Sequence, residues 1–457
     1  MTTKNQFPEH NPENPVFDGT SAKKAAPDQR VHSQNKRKNK SYRVLYRTLM
    51  MLCSILLVTF LSLSMILVGK TLAGKEGSNN DPVVNAYDSQ HPAAMKANTG
   101  NPGNTASFTF AGVGDNLLHD PIFVYYEQDY GHRDFTPLYE LTGSYIQEAD
   151  LSYINFETVC AGDEFGLSGY PNFNGPLEMI DSLTASGFDW FSLSSNHSMD
   201  AGMEGLQNEV SFIKEHQPQL SATGAYRSEE ESNIPVVRDV NGIKVGLASF
   251  TYDLNGYEKP EGANWLIDVY RKEDGSVNYE FMASRLEQLK AVSDVQIVSM
   301  HWGEEYQNEP NAEQREIAQF LHTQGVEVII GSHPHVIQPA EFITSDGQST
   351  LVYYSLGNFI SAQDKSETMV GGMARFQLNY DFSTKKASFE NVSFTPTVTW
   401  ITPDLRTYRT TTIHEYGNEM AANHYMTSLG KPISREWVKN YTQFVMQVPE
   451  GIEIILE

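Results

Sequence analysis

From residue 108 onward, short apolar runs alternate with longer amphipathic stretches. Apolar runs of this length are typical of buried strands, and the stretches between them have the spacing of helices that cover a sheet. With 40% hydrophobic residues, the chain can bury a large core, so the alternation predicts an α/β domain. The predicted strands lie near residues 108–114, 151–156, 189–194, 219–223, 243–251, 295–300, 326–330 and 350–355.

Four of the amphipathic stretches predict helices, near residues 176–186, 202–216, 280–292 and 311–324. The last of these begins at Asn311, a residue type suited to an N-cap, and ends before Gly325. Asn241 and Gly242 stand between two strand-like runs and predict a two-residue hairpin turn. Residues 371–400 alternate apolar and polar side chains, which predicts antiparallel strands that complete the sheet.

A run of 21 residues without a charge, 48–68, precedes this domain. At about 1.5 Å per helical residue it matches the roughly 30 Å core of a bilayer, which predicts a single transmembrane helix. A cleaved signal peptide is the alternative, but its apolar stretch normally covers about 7 to 15 residues behind a short leader. Here the leader is 47 residues long and basic. The positive-inside rule therefore keeps the N-terminus in the cytoplasm and places the later domain outside the cell.

These features divide the chain into five predicted parts. They are a disordered basic cytoplasmic tail (1–47), a transmembrane helix (48–69), a flexible linker rich in Gly, Asn, Pro and Ser (70–107), the α/β domain (108–400) and a C-terminal extension (401–457). For the extension, the sequence is compatible with a small appended subdomain.

The charge is distributed unevenly along the chain. Residues 1–47 carry 10 Lys and Arg against 4 Asp and Glu, whereas the remainder carries 23 against 53. Such an excess of negative charge repels nucleic acid, and it repels anionic polymers unless bound cations lie between the two. The two cysteines, Cys53 and Cys160, cannot pair across the predicted topology, so the core must stabilise the fold without a disulfide.

Polar side chains collect where the predicted strands end. Parallel strands present their carboxyl ends at the same edge of a sheet, and ligands of open α/β sheets bind at that edge. Five separate segments therefore converge if their strands share one sheet. The residues concerned are Asp115, Glu157, Asn196, His197, His301, His333 and His335.

Carboxylates and imidazoles together predict a divalent metal site with one or two ions. Two carboxylates partly neutralise a pair of ions, and one carboxylate can bridge ions about 3.5 to 4 Å apart. Mixed imidazole and carboxylate ligation suits Mn, Fe or Zn better than Ca or Mg. In His333-Pro334-His335 the proline fixes the backbone between the two rings. His197 stands beside a ligand without being needed as one, so it is free to donate a proton to a leaving oxygen.

Six motifs in a fixed order make the chain recognisable: GVGDNLLH, INFET, LSSNHSMDAGMEGL, MHWGEEYQNEP, GVEVIIGSHPHVIQP and YSLGNFI. Together they closely resemble the CapA-type family of poly-γ-glutamate capsule-synthesis proteins, over roughly residues 108–365. The motif order of that family is similar to that of calcineurin-like metallophosphoesterases. The resemblance implies a calcineurin-like sandwich of two mixed β-sheets flanked by helices, with metals at the loop edge.

The resemblance assigns the ligands to two metals, with Glu157 as the bridging carboxylate in place of the usual aspartate. The first metal takes Asp115 and His335, the second takes Asn196, His301 and His333, and the implied proton donor is His197.

The chain departs from the phosphoesterase pattern at one ligand position. Phosphoesterases begin with D-x-H, and here that histidine is Leu117. The site is therefore mononuclear, or weakly loaded, or completed by His119 from an unusual turn. Further residues expected to support the site or contact substrate are Trp302, Glu305 and Gln338.

The resemblance implies a membrane-anchored component of poly-γ-glutamate synthesis or export, with the polyanionic polymer and capsule synthase subunits as partners. One alternative is an extracellular metallophosphoesterase that hydrolyses phosphoesters, and another is a non-catalytic scaffold of a synthase complex. The position of His197 favours chemistry, whereas the loss of the D-x-H histidine favours the scaffold. The sequence leaves open whether the protein is an enzyme.

Overall fold

The computed structural model describes residues 104–447 and 449–457. The predicted cytoplasmic tail, the predicted transmembrane helix and most of the predicted linker lie outside these residues. Among the helices that the structure describes, none combines the length and apolar character needed to span a membrane.

The strands alternate with helices along most of the chain. The strands are β1 (Thr105–Asn116), β2 (Leu151–Asn155), β3 (Trp190–Ser192), β4 (Ser221–Thr223), β5 (Val236–Val240), β6 (Ile243–Thr251), β7 (Val295–His301), β8 (Val328–Ser332), β9 (Ala340–Ser345), β10 (Gln348–Tyr353), β11 (Asn358–Ile360), β12 (Val370–Asp381), β13 (Lys386–Ile401), β14 (Tyr408–Thr412) and β15 (Glu453–Ile454). The helices are α1 (Asp120–Tyr130), α2 (Glu140–Gln147), α3 (Glu178–Ala185), α4 (Gly202–His216), α5 (Glu229–Ser232), α6 (Tyr279–Lys290), α7 (Ala312–Thr323), α8 (Asn418–Ala422), α9 (Tyr425–Ser428) and α10 (Arg435–Met446).

The strands form two mixed sheets. The larger sheet has the order β14-β13-β12-β1-β2-β3-β4, with β11 paired to β1 and β15 paired to β13. Strands β1 to β4 run parallel. The pairs β1–β12, β12–β13 and β13–β14 are antiparallel, whereas β15 is parallel to β13. The smaller sheet has the order β5-β6-β7-β8-β10-β9, in which β6, β7, β8 and β10 are parallel. The prediction of an α/β fold with two mixed sheets is confirmed.

The two sheets pack face to face, and central strands such as β2 and β7 are buried on both sides. One continuous core contains side chains of both sheets, such as Ile154 of β2 and Ile297 of β7. A buried hydrogen bond of 2.7 Å between the Tyr153 hydroxyl and Ser299 Oγ also joins β2 to β7. A second core lies between the smaller sheet and helices α6 and α7, around Met282 and Ile317. The sandwich therefore fixes the ends of the two parallel strand sets relative to each other.

Several local predictions are confirmed. Strand β6 has the predicted bounds, and Asn241 and Gly242 have the positive φ angles of a type I′ hairpin turn. Helix α7 begins after Asn311, whose side chain forms a capping box with Gln314. Residues 401–457 contribute β14 and β15 to the larger sheet, and β13 itself runs to Ile401.

Candidate metal centre

The predicted ligands lie at the carboxyl ends of parallel strands in both sheets. Asp115 is near the end of β1, Glu157 follows β2 and His301 ends β7. Because β1 to β3 are parallel in one sheet and β7 and β8 are parallel in the other, the packed sheets bring these ends together. The side-chain oxygen Oδ1 of Asn196, which follows β3 of the larger sheet, lies 2.8 Å from Nε2 of His301 in the smaller sheet. The buried residues that meet here are Asp115, Glu157, Asn196, His197, His301, His333 and His335.

The described residues contain three groups of possible ligand atoms, and two of them share Glu157. One group joins Glu157 with His301 and His333, and the other joins it with Asp115 and His335. Within each group the ligand atoms lie within 4.8 Å of one another. A shared carboxylate between two groups of donors is the arrangement that two-metal sites use.

Two buried polar atoms without hydrogen-bond partners indicate that a cation fits here. Among the described residues, Glu157 Oε1 and His333 Nδ1 are buried and have no hydrogen-bond partner. Buried polar atoms normally have a partner, since leaving one unpaired costs about 1 to 3 kcal/mol. Carboxylate oxygens and imidazole nitrogens without hydrogen-bond partners are the kinds of atom that bind divalent transition metals. The residues present therefore fit a metal ion.

The electrostatics agree with a cation site. Burial raises the pKa of Glu157 well above its ordinary value, and the neighbouring Asp115 raises it further. Burial also lowers the pKa of His301 and of His333 well below 6.5, which keeps both rings neutral. Burial lowers the pKa of His335 as well, but Glu157 and Asp115 outweigh it and raise that pKa to about 9. Without a cation, the His335 imidazolium is the positive charge next to the carboxyl groups of Asp115 and Glu157.

The neighbours of His335 determine which of its nitrogens can bind a metal. Its Nδ1 lies 3.1 Å from Asp115 Oδ2 and 3.0 Å from Asn358 Oδ1. Both neighbours are oxygen acceptors, so Nδ1 carries a proton and donates it. The other nitrogen, Nε2, faces Glu157 Oε1 at 3.7 Å. Nε2 is therefore the candidate ligand atom, and Asn358 orients the ring by accepting from Nδ1.

The loop that carries the paired histidines has an unusual backbone. His333 and His335 have φ angles of 94° and 59°, in the left-handed region that side chains rarely adopt. The Tyr306 N–H donates to the Pro334 carbonyl at 2.8 Å. Residues in such conformations persist where the surrounding structure holds them, and they cluster at functional sites.

Two asparagines that the sequence reasoning missed as site residues support the carboxylates and the histidine pair. The Asn155 amide donates to Asp115 Oδ1 at 2.9 Å and to Glu157 Oε2 at 3.4 Å. The sequence did contain a signal for Asn155. It stands two positions before Glu157, and side chains two positions apart in an extended segment point the same way. Asn358 lacked such a signal, because its contact with His335 joins two separate segments.

His197 is held at the edge of the centre by a carboxylate. Its Nδ1 lies 2.7 Å from Asp200 Oδ2, which also accepts the Phe173 N–H at 2.7 Å. The Phe173 ring packs edge-on against the imidazole at 4.7 Å. With Nδ1 fixed by Asp200, Nε2 is the nitrogen available for proton transfer. Asp200 had no role in the sequence reasoning, although it stands three residues after His197.

Of the further predicted residues, Glu305 alone has an atom in a possible ligand group, with His333 and His335. His119 instead accepts the Ala362 N–H at 3.2 Å, and burial lowers its pKa to about 4. Trp302 is buried in the second core, where its Nε1 donates to the Tyr354 carbonyl. Gln338 accepts from the Gln314 amide and donates to the Gln307 carbonyl, beside the start of α7.

The family model described as bacterial capsule synthesis protein PGA_cap matches residues 109–363. That range is more than half of the chain and contains every ligand described above. The chain belongs to this family. The resemblance found in the sequence motifs is thereby confirmed.

Two curated relatives are capsule proteins of bacilli. The chain is 26% identical over 203 residues to the PGA biosynthesis protein CapA of Bacillus subtilis (strain 168), which covers 44% of this chain and 50% of the relative. It is 27% identical over 262 residues to the capsule biosynthesis protein CapA of Bacillus anthracis, covering 55% of this chain and 59% of the relative. The chain thus spans between half and three fifths of these relatives.

Among solved structures, a phosphatase from Mycoplasma pneumoniae is similar with a TM-score of 0.38 and 14% identity. The similarity covers 64% of this chain and 94% of that chain.

Proposed function

We propose that this protein takes part in the synthesis or export of a poly-γ-glutamate capsule polymer through a divalent metal centre. Membership in the PGA_cap family over residues 109–363 supports the capsule role. The single observation that carries the metal centre is the pair of ligand groups that share Glu157. Bound cations would also allow an acidic domain to contact a polyanionic polymer, because the cations lie between the negative charges of the two.

We further propose that the domain is anchored in the cell membrane and faces outward. The uncharged run 48–68 and the basic residues before it support this topology. An outward-facing domain would meet the polymer where it leaves the cell. Capsule synthase subunits in the same membrane are the partners that this topology favours.

A second candidate function is hydrolysis, of phosphoesters or of the polymer itself, and the pairing of His197 with Asp200 favours it. A bound divalent ion would supply positive charge that polarises the bond to be cleaved. Asp115, Glu157 and the imidazoles would hold that charge in place. In hydrolysis, water attacks the phosphorus or the carbonyl carbon as the bond to the departing atom breaks. His197, fixed at Nδ1 by Asp200, would donate a proton from Nε2 to that departing atom.

Metal analysis combined with turnover assays tests both proposals. Glu157→Ala removes the shared ligand, so the purified protein is expected to lose most of its Mn, Fe or Zn by elemental analysis. His197→Ala is expected to keep its metal and to lose activity on a panel of phosphoesters and γ-linked glutamyl chains. Glu304→Ala, an exposed acid outside the ligand groups, is the control and should retain both.

The outcomes separate the candidates. Equal metal content in wild type and Glu157→Ala would refute the centre. Unchanged turnover in His197→Ala would rule out its proton-donor role. A metal-loaded wild type that binds γ-linked glutamyl chains and turns over none of the panel would leave the non-catalytic capsule role.

A further inference from the structure

The three histidines of the candidate metal centre are not held in the same way. His335 is held through Nδ1, which lies 3.0 Å from Asn358 Oδ1. His301 is held through Nδ1, which lies 3.0 Å from Ser332 Oγ. The ring of His333 has no hydrogen-bond partner in the described part of the chain, and its Nδ1 is buried. Metal-binding histidines are normally oriented by a hydrogen bond at their other ring nitrogen, so another kind of contact must orient His333.

An aromatic ring packs against His333 where the other histidines have hydrogen bonds. The ring centres of Tyr252 and His333 lie 4.7 Å apart, with the ring planes at 47°. The Tyr252 ring also lies nearly parallel to that of His301, at 6.4 Å and 10°. Ring pairs with centres about 4.5 to 7 Å apart attract each other in a preferred geometry. Tyr252 therefore contacts both histidines of the ligand group that contains His333.

The position of Tyr252 is itself fixed by its neighbours. Its N–H donates to the His301 carbonyl at 3.1 Å, where β6 ends beside β7. The Arg271 guanidinium lies over the Tyr252 ring, 5.3 Å from its centre. Glu313 of α7 binds Arg271 in turn, at 2.7 Å. Because Glu313 neutralises its charge, Arg271 braces the ring rather than offering a free cation to a ligand.

We propose that Tyr252 is a positioning residue that holds the His333 ring in the orientation that binds a metal ion. This inference rests on the proposed metal centre and concerns how that centre is organised. Hydrogen bonds hold the histidine of the group that contains Asp115, whereas packing holds His333 in the other group. The ring of Tyr252 provides the contact, and its hydroxyl takes no part.

Titration calorimetry of the metal-stripped full chain with Zn²⁺ tests the role of Tyr252. Tyr252→Ala removes the ring and is expected to weaken Zn²⁺ binding by about tenfold or more in one binding step, since losing the support of a ligand histidine typically costs about 10- to 100-fold in affinity. Tyr252→Phe keeps the ring and should bind Zn²⁺ as wild type does. Tyr252 is half-buried, so the protein is expected to fold without its ring.

The rise in unfolding temperature on adding Zn²⁺ separates positioning from a purely structural role. A ligand that binds the folded state stabilises it by an amount that depends on affinity. The rise should be smaller in Tyr252→Ala than in wild type, whatever the stability of the variant without metal. Tyr279→Ala is the matched control, because Tyr279 also packs at 4.7 Å on a ring, that of Phe320, beside the second core. It should keep the Zn²⁺ affinity and the full rise.

The contrary outcomes are distinct. Equal Zn²⁺ affinity in wild type and Tyr252→Ala would overturn the positioning role and leave the metal centre in place. An equal loss in Tyr252→Phe would assign the effect to the hydroxyl, and an equal loss in Tyr279→Ala would assign it to general loosening of the fold; either result would overturn the inference. A metal-stripped wild type that takes up no Zn²⁺ would instead overturn the proposed centre.

Discussion

The position of the missing D-x-H histidine is occupied by Leu117, which is buried and cannot bind a metal. A carboxylate on another loop lies close enough to substitute for it. An oxygen of Glu305 is within 4.8 Å of ligand atoms of His333 and His335. Glu305 is exposed, so it reaches the centre from the solvent side. The next residue, Tyr306, joins this loop to the histidine pair, because its N–H donates to the Pro334 carbonyl.

Glu305→Gln is expected to weaken metal binding by about tenfold or more, because an amide is a poorer ligand than a carboxylate and removes a negative charge. Glu304→Gln, with the same change in charge one residue away, should bind metal as wild type does. Titration calorimetry with Mn²⁺ or Zn²⁺ on metal-stripped protein measures both. Equal affinities for the two variants would show that Glu305 stays outside the coordination sphere.

At the scale of residues, the sequence predicted which side chains meet but not what supports them. The candidate ligands could be found because each follows an apolar run. Asn155 could have been found from its spacing to Glu157. Asp200 could have been found from its position three residues after His197. Asn358 could not, because its role depends on which segments approach each other after the two sheets pack. Long-range pairing of this kind leaves no periodic signal along the chain.

Elements with a regular apolar pattern were predicted closely, and the exceptions have physical reasons. Helix α1 (Asp120–Tyr130) was missed because its sequence, DPIFVYYEQDY, is rich in β-branched and aromatic residues that favour strands. A proline in its first turn and Gly131 at its C-cap, with φ of 70°, define its ends. The three-residue strand β11 exists through its pairing with β1, which local sequence cannot indicate.

A close contact between elements holds Asp115 in place. The Asp115 N–H donates to the Gly357 carbonyl at 2.8 Å. A Cβ added at Gly114 would lie 1.8 Å from that carbonyl oxygen. Glycine is therefore required at this crossing of β1 and the segment before β11.

Gly114→Ala is expected to destabilise the fold by about 1 to 3 kcal/mol or more, because the backbone of one segment must move. It should also lower metal content, because Asp115 moves with it. Gly143→Ala, in helix α2 with its nearest neighbour atom 4.0 Å from the added Cβ, should be neutral or stabilising by up to about 1 kcal/mol. Urea unfolding and elemental analysis measure the two effects, and equal stability of both variants would contradict the contact.

At the scale of the molecule, the domain combines a negatively charged surface with buried carboxyl groups. Burial raises the pKa of Glu209 to about 8 and that of Glu327 to about 7. Glu209 accepts the Cys160 N–H at 2.6 Å, and Glu327 accepts the Gln296 N–H at 2.7 Å. Because their pKa values are raised on folding, these groups contribute stability that is present below pH 4.5 and is lost as pH rises towards 8.

Glu209→Gln is expected to reduce the loss of stability between pH 6 and 9, because glutamine keeps the acceptor for Cys160 and does not ionise. Thermal or urea unfolding at a series of pH values measures the slope for wild type and variant. Asp274→Asn is a matched control, because Asp274 is fully exposed and its pKa is lowered. Parallel slopes for Glu209→Gln and wild type would contradict the prediction.

The architecture of the whole molecule could be predicted only in part from the sequence. Strand positions and the α/β class followed from apolar periodicity, and the packing of two mixed sheets followed from the family resemblance. The order of strands did not follow, because β12 pairs with β1 across more than 250 intervening residues. The predicted anchor and the predicted domain boundaries stay predictions.

Strand β1 also determines how the domain would respond to tension. The chain enters the described fold at residue 104 and continues directly into β1. This strand pairs with β12 over Thr105–Val113 and with β2 over Phe110–Asp115. A pull on the incoming chain acts along the strand and must shear many hydrogen bonds at once, rather than open them one by one. Under the proposed topology, a domain tethered through this end would bear tension from a bound polymer without displacing Asp115.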